Sequence, residues 1–448
     1  MTSSLKARSI NAGIWTMAGF GGSQVLRLAN NLITTRLLNP SMFGVMAIVM
    51  AIMMGIFMFT EMGLRQNIIQ SSRGDDPSFQ NTTWTIQILR GTFIWLVSIL
   101  ISLGLYFSDQ AGWIPASTVY ADPRLPWLIP LTNFGVVLSS LEPIWLYTAN
   151  RNMKMAKVTL IDLTSQTVGM VITLVWIYFD RSIWALAFSN VGVGMVRLLI
   201  IYLIVPETGN RWQIEPHALR EIIHFGKWLF LSSLLTFLFL NGDRLLLGGL
   251  VTARELGIYS VAFFLVNAFS QAAGRLMGNV VFPAISETLR TNPSRMPHTY
   301  YRYRFYFDAG LFFVSGFLYE AGHVIVRLIY DARYAPAGHE MEILALSLMA
   351  FRYDMASQCF IALGQPKILS YNLVVRSVAL FVSLPLAYHH AGLTGAMWAI
   401  TASYYSGIPV TLYYKHKLGF LHAMKEIHSL PLLLAGGATG WLVSEFAK

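Results

Sequence analysis

Charge is what this 448-residue chain has least of. Charged residues make up 12% of it, against about 25% in an ordinary soluble domain, so the chain is not built to face water on all sides. Cysteine is almost absent. Cys359 stands alone, which excludes an intramolecular disulfide framework and a cysteine-rich metal site. Its neighbours Ser357, Gln358 and Phe360 lie in an apolar stretch that suits a buried, inert thiol. His323 is isolated and the pair His389-His390 has no partners at metal-ligand spacing, so no metal is expected. There is no Walker loop, no glycine-rich dinucleotide fingerprint and no serine nucleophile elbow. No cofactor is expected, and a self-contained ATP-driven pump is disfavoured.

Apolar and aromatic residues fill the space. The hydrophobic fraction is 55%, with 28 Phe, 20 Tyr, 12 Trp and 20 Met, and the mean hydropathy is +0.54. A membrane span needs about 20 mostly apolar residues. Runs of that kind fall at 11–37, 43–64, 83–107, 125–148, 158–179, 183–206, 226–250, 257–281, 304–330, 341–362, 367–388 and 393–414. A thirteenth stretch at 430–445 is short and glycine-rich. Lys6 and Arg8 precede an apolar run too long for a signal-peptide core, with no small-residue cleavage site after it, so it reads as a retained first span.

The net charge of +10 is scattered over short loops, with no basic domain to hold nucleic acid. Topology explains it better. With the N-terminus inside, the inner segments carry Lys6, Arg8, Arg65, Arg73, Arg151, Lys154, Lys157, Arg211, Arg220, Lys227, Arg290, Arg295, Arg302, Arg304, Lys367, Lys415, Lys417 and Lys425. The outer loops carry only Arg124, Arg181, Arg254 and Arg333. Eighteen against four satisfies the positive-inside rule.

The chain also repeats itself. Arg36-Leu37-Leu38 leads to Phe43-Gly44-Val45-Met46-Ala47-Ile48, and Arg244-Leu245-Leu246 leads to Leu256-Gly257-Ile258-Tyr259-Ser260-Val261. Both follow inside-to-outside spans, which makes the halves parallel repeats about an axis along the membrane normal. The expectation is an all-α polytopic membrane protein of two six-helix bundles related by a pseudo-two-fold. The bundles occupy 1–206 and 226–414, joined by a cytoplasmic amphipathic linker at 207–225 and followed at 415–448 by a cytoplasmic segment and a short hydrophobic tail.

Several segments carry a family likeness. Asn241-Gly242-Asp243-Arg244-Leu245-Leu246-Leu247-Gly248, Val281-Phe282-Pro283-Ala284-Ile285-Ser286 and Leu328-Ile329-Tyr330 with Tyr334-Ala335 form part of an ordered set. Ala362-Leu363-Gly364-Gln365-Pro366-Lys367 and Gly392-Leu393-Thr394-Gly395-Ala396 continue it, and Leu38-Asn39-Pro40-Ser41-Met42-Phe43-Gly44 and Ser182-Ile183-Trp184-Ala185-Leu186 supply the first half. Together they resemble the polysaccharide transporters, the Wzx-type oligosaccharide flippases of the multidrug/oligosaccharidyl-lipid/polysaccharide exporter superfamily. The resemblance implies two bundles in a V around a central cavity. It also implies movement of undecaprenyl-pyrophosphate-linked repeat units to the periplasmic leaflet of a bacterial inner membrane, with a polysaccharide polymerase as a partner. Many such proteins have fourteen spans, and this sequence stops near a thirteenth.

Ionisable residues within spans are costly and point to function. Arg27, Arg352 and Arg376 lie closest to mid-span, while Arg90, Arg197 and Arg275 fall in the cytoplasmic third, where snorkelling to headgroups competes. On the first span Gln24, Arg27, Asn31 and Thr34 form one polar stripe, and on the eighth Asn267, Gln271 and Arg275 form another. The functional reading is a cationic cavity in which arginine forks grip a pyrophosphate and Asn and Gln meet sugar hydroxyls. The structural alternative pairs these arginines with Glu61, Glu142, Asp162, Asp308, Glu320 or Asp354. Asp162, Asp308 and Asp354 are also candidates for ion coupling. Span five, with Asp162, Ser165, Gln166, Gly169 and Thr173, reads equally well as a small-residue packing seam.

Rival functions differ in what they need. A multidrug-type antiporter calls for a cavity of carboxylates and aromatics, and an integral-membrane glycan-modifying enzyme calls for an acid/base pair and a sizeable catalytic loop. The surplus of arginine opposes the first and the short loops oppose the second. An anion moving outward runs with an inside-negative potential, worth about 2.3 kcal/mol per charge per 100 mV, which gives outward transport a physical bias.

Overall fold

The computed structural model describes residues 2–60, 62–152, 154–205, 209–427 and 429–446, with the side chains of 2–12, 225–232 and 427 outside the description. The expectations placed on Lys6, Arg8, Glu61 and Lys227 therefore lie outside the described residues. Among the described residues every regular element is helical. The chain divides into two compact units, Met1–Leu234 and Leu235–Lys448.

In the first unit α1 (Thr2–Leu37) is followed by α2 (Pro40–Phe59). The break between them falls at Asn39, extended at φ −80°, with Pro40 at the first helical position, where its missing N–H costs nothing. A short α3 (Leu64–Gln70) leads to α4 (Pro77–Gln110), which Asp76 caps by accepting from the Ser78 N–H at 3.0 Å. The expected fourth span is bent. α5 (Leu125–Ser140) and α6 (Trp145–Arg151) meet at 62°, where Pro143 cannot donate a helical hydrogen bond. α7 (Met155–Phe179) and α8 (Ile183–Ile204) complete the set.

The expected linker is neither a free surface strap nor wholly outside a helix. Its extended stretch is stitched to α4, because the main-chain N–H groups of Arg211, Gln213 and Glu215 donate to Asn81 Oδ1, Thr85 Oγ1 and Thr82 Oγ1 at 2.9–3.1 Å. Trp212 meets Trp84 edge-on at 6.4 Å. From Pro216 the chain is already helical, as α9 (Pro216–Gly248), and Ala218 and Ile222 are buried with Leu64, Ile68, Phe79 and Ile144. Arg73 closes this corner with contacts to Asp76 at 2.6 Å and Glu215 at 2.7 Å. Hydrogen bonds from that guanidinium hold both carboxyls below their usual range, so the clamp is intact at neutral pH and weakens only as pH falls through the lowered values.

In the second unit α10 (Ala253–Leu276) starts with a capping box in which Thr252 and Glu255 satisfy each other's N–H groups. It passes through a π-helical segment, Met277–Val281, into α11 (Phe282–Thr291). Pro283 has no N–H for the carbonyl of Asn279, which accounts for the wider turn there. α12 (Met296–Ile329) follows. The expected tenth span, 341–362, is three short helices instead: α13 (Ala337–Ala345), α14 (Ser347–Phe351) and α15 (Asp354–Ala362).

The next helical run, α16 (Lys367–Ser406) with α17 (Ile408–Lys417), holds the eleventh and twelfth expected stretches. It breaks at Gly392, whose φ of +58° and ψ of −146° suit only glycine. Asn372 Nδ2 donates to Thr411 Oγ1 at 2.9 Å across 39 residues, a span of about 58 Å if the helix were straight. The run is therefore an antiparallel hairpin. After α18 (Ala423–Ile427), the thirteenth stretch forms α19 (Pro431–Phe446) and packs along α12. The two run parallel: Gly436 lies against Phe313 and Gly440 against Phe317, and the Ser444 hydroxyl donates to the Glu320 carbonyl at 2.8 Å.

Among the described residues, eight helical segments are long and apolar enough to cross a membrane, nine with the bent α5–α6 pair counted as one. That count takes the 367–417 hairpin as one segment and leaves the expected total of twelve unconfirmed. α1 and α9, of 36 and 33 residues, stand outside that count, and the tenth stretch is divided.

A Cβ on Gly436 would collide with the main chain of Phe313, whereas one on Gly437 would make only ordinary contacts, with Glu320 Cγ at 3.8 Å and the Gly316 carbonyl oxygen at 4.0 Å. Gly436→Ala is thus expected to destabilise the detergent-purified protein by about 1–3 kcal/mol through overpacking, with Gly437→Ala near neutral. Thermal melting checks this, and equal midpoints for the two variants would contradict the close α12–α19 packing.

Candidate functional site

Three helices of the first unit enclose the site. α1 packs on α7, and α7 approaches α8 closely where Gly169 leaves no room for a side chain beside Val193. The three surround a cavity of about 210 Å³ lined by Arg27 and Asn30 from α1, Gln166 and Thr173 from α7, and Ser189 and Asn190 from α8, with apolar residues between them. Arg27 is exposed and, among the described residues, has no carboxylate within ion-pair distance. The amide N–H of Gln166 is spent on Ser23 Oγ at 3.0 Å, which leaves Gln166 Oε1 buried without a partner. Asn30 Oδ1 and Ser189 Oγ are buried and unpartnered as well.

Each such group costs about 1–3 kcal/mol, and a hydroxyl donor entering the cavity would recover it. A guanidinium beside several acceptors is chemically matched to a molecule with both anionic oxygens and hydroxyls. Gln24 and Asn31, which the polar stripe places with Arg27, are not in the cavity lining. Asn30 is there instead.

The other arginines singled out in the sequence sit differently. Arg197 on α8 bridges Glu142 at 2.7 Å and Asp162 at 2.5 Å. Arg376 on α16 is 3% exposed, pairs with Asp354 at 2.8 Å and lies over the Phe239 ring at 5.6 Å. Arg352 is buried and reaches Asp308 and the Tyr353 hydroxyl, both at 3.0 Å, and the Glu426 carbonyl at 2.7 Å. These three match the ion-pair alternative raised by the sequence. Arg90 donates to the Phe57 carbonyl at 2.9 Å and to Thr60 Oγ1 at 3.2 Å, over the Phe57 ring. Gln271 and Arg275 are exposed on α10, just before the π-helical segment. The ion-coupling candidates Asp162, Asp308 and Asp354 each face a guanidinium.

Arg352 belongs to a larger buried cluster. Arg304 contacts Asp308 at 3.3 Å and Glu426 at 2.6 Å, and Lys415 also pairs with Glu426. Tyr300, Tyr301 and Tyr353 lie within 6 Å of these cations. Arg304, Lys415 and Glu426 escape a sequence reading because the first two look like ordinary inside-loop charges. The signal that could have exposed them is Arg304 and Asp308 at a spacing of four on one helix face. Asn30 and Ser189-Asn190 were missed because single polar residues in apolar helices carry no periodicity. Among the described residues no cluster of His, Cys, Asp and Glu could hold a metal ion.

Removing Arg352 leaves Asp308 less compensated, and breaking a buried pair costs about 3–5 kcal/mol. Arg352→Ala is expected to lower the melting midpoint in detergent, while Arg27→Ala leaves it unchanged. The reverse order would contradict the division into structural and available arginines.

Comparison with known proteins agrees with this architecture. The sequence model of a family described as polysaccharide biosynthesis protein matches residues 33–339. The chain is 18% identical over 296 residues to the succinoglycan biosynthesis transport protein ExoT of Rhizobium meliloti, covering 66% of this chain and 57% of that one. It is 22% identical over 305 residues to an uncharacterized membrane protein in the cps region of Klebsiella pneumoniae, covering 66% of this chain and 60% of that one. It therefore spans less than two thirds of the length of either relative.

Among solved structures, a lipid II flippase, MurJ, in an inward closed conformation superposes with a TM-score of 0.66 at 13% identity, covering 98% of this chain and 93% of that one. An inward-facing multidrug resistance MATE family transporter of the MOP superfamily superposes with a TM-score of 0.60 at 13% identity, covering 88% and 94%. These likenesses give the fold, that of the MOP transporters. With a family match over more than half its length, the chain belongs to the polysaccharide biosynthesis protein family and is a multi-pass helical membrane protein.

Proposed function

We propose that the protein flips a lipid-linked oligosaccharide repeat unit, of the undecaprenyl-pyrophosphate type, from the cytoplasmic to the periplasmic leaflet by alternating access. It would serve the synthesis of an O-antigen, capsule or exopolysaccharide, and would act without catalysing a covalent step. The observation that carries this reading is Arg27, a guanidinium without a carboxylate partner among the described residues, set beside the unpartnered Asn30, Gln166 and Ser189. A pyrophosphate accepts from such a fork, and sugar hydroxyls donate to the three acceptors. At about 210 Å³ the cavity is smaller than the roughly 300–1,000 Å³ of a whole-ligand pocket, so it is read as a subsite for the phosphate or one sugar. The names of the relatives and of the flippase neighbour support the substrate class.

In this reading bundles 1–206 and 226–414 rock about the linker 207–225, with segment 415–448 attached to the second. The N-terminus is cytoplasmic, the host is a bacterial inner membrane, and a polysaccharide polymerase takes the product. A sugar headgroup needs such a cleft because each hydroxyl stripped of water without a partner costs several kcal/mol. The prenyl tail stays in lipid. The cavity lining holds no Asp or Glu, which disfavours a multidrug-type antiporter for cationic compounds.

Proteoliposomes loaded with lipid-linked oligosaccharide test this directly. Arg27→Ala is expected to slow flipping at least about tenfold, the value of one charge-assisted hydrogen bond, while Arg27→Lys retains part of the activity. A wild-type rate for Arg27→Ala at equal protein would sink the assignment.

A further inference from the structure

The second unit holds a cavity of about 500 Å³ against the first turns of α12 and against α18. It is separate from the Arg27 cavity, and the flippase reading makes no use of it. Its wall includes His298, Arg302, Arg304, Asp308 and Lys425. Behind the wall, Arg304, Arg352 and Lys415 share, among the described residues, two carboxylates, Asp308 and Glu426. All three cations are buried, at 1%, 6% and 0% exposure. Three cations over two acids leave one formal positive charge in excess, in a place where an uncompensated charge is expensive.

The rim adds to the excess. Arg302 and Lys425 are exposed, and among the described residues neither has a carboxylate at ion-pair distance. Lys425 rests over the Tyr301 ring at 5.2 Å. Three cations in the lining, Arg302, Arg304 and Lys425, and two behind it, Arg352 and Lys415, therefore stand against two acids, and an anion is the missing partner. Tyr301 and Ser429 also line the cavity, the Tyr301 hydroxyl being spent on the Glu426 carboxylate at 2.7 Å.

The rim also says what the anion is attached to. Phe305 and Tyr306 line the cavity and are 44% and 65% exposed. Exposed aromatics beside basic residues are the signature of the membrane interface, and basic pockets on the cytoplasmic side hold anionic lipid headgroups. The basic residues here belong to the inside set of the positive-inside reading. We propose that this cavity is a binding site for the phosphate headgroup of an anionic membrane lipid. Arg302 and Lys425 hold the phosphate at the rim, the surplus charge of the buried cluster attracts it, and Phe305 and Tyr306 meet the upper acyl chain.

The test is native mass spectrometry of the full chain in detergent, with phosphatidylglycerol and phosphatidylcholine supplied in equal amounts. Phosphatidylglycerol is expected to be retained in preference. The double variant Arg302→Gln/Lys425→Gln should weaken its retention about thirtyfold, from two lost headgroup contacts. Either single variant should give part of that loss if the double variant melts early. The control Arg290→Gln/Arg295→Gln removes the same charge outside the cavity and should leave retention unchanged. Excess inorganic phosphate should not displace the lipid. An equal loss in the control would reduce the effect to surface potential and overturn the site. So would the absence of any preference for the anionic lipid. Displacement by inorganic phosphate would identify a free anion as the occupant and overturn the lipid assignment.

Discussion

A charge inside a membrane protein has two affordable states: it is paired, or it faces water and ligand. An unpaired ion in a low-dielectric interior costs far more than a fold can absorb. In both units some intramembrane cations take the first state. Arg197 lies between two carboxylates, Arg376 sits on Asp354, and Arg304, Arg352 and Lys415 divide Asp308 and Glu426 among them. Arg27 has no such carboxylate among the described residues, and the proposed function rests on that difference.

The same constraint shapes the backbone. Polar main-chain groups that leave a helix need partners, and the chain supplies them where its helices break. The extended stretch after α8 gives its N–H groups to Asn81, Thr82 and Thr85. The turn at Gly392 uses a conformation open only to glycine and folds 367–417 into a hairpin. α19 lies against α12 because glycines let the two backbones approach, the packing mode favoured where lipid offers no hydrophobic drive.

Much of this was legible in the sequence. Low charge and long apolar runs announce a polytopic helical protein, and the ordered motifs from Leu38 to Ala396 announce the family. The ends of α8, of the 367–414 hairpin and of α19 fall within a few residues of the apolar runs that predict them. Other features depend on tertiary contacts. The stretch 341–362 is apolar enough for one span, yet composition does not register the division at Leu346 and near Arg352. A helical stripe gives a face of α1 but not the neighbour, so it selects Asn31, whereas the cavity formed with α7 and α8 around Arg27 takes Asn30. An arginine near a span end reads alike whether it meets headgroups or, like Arg304, a buried acid.

The central claim is that the Arg27 position opens onto a wet site filled by the transported headgroup. Cys359 is buried and is the single cysteine of the chain, so a Cys359→Ala background admits one reporter thiol at position 27. The measurement is labelling of Arg27→Cys in that background by a membrane-impermeant thiol reagent, with and without lipid-linked oligosaccharide. The account predicts labelling in the empty protein and protection by the oligosaccharide. A thiol that is inaccessible from both faces, or labelled equally with and without the oligosaccharide, would contradict it.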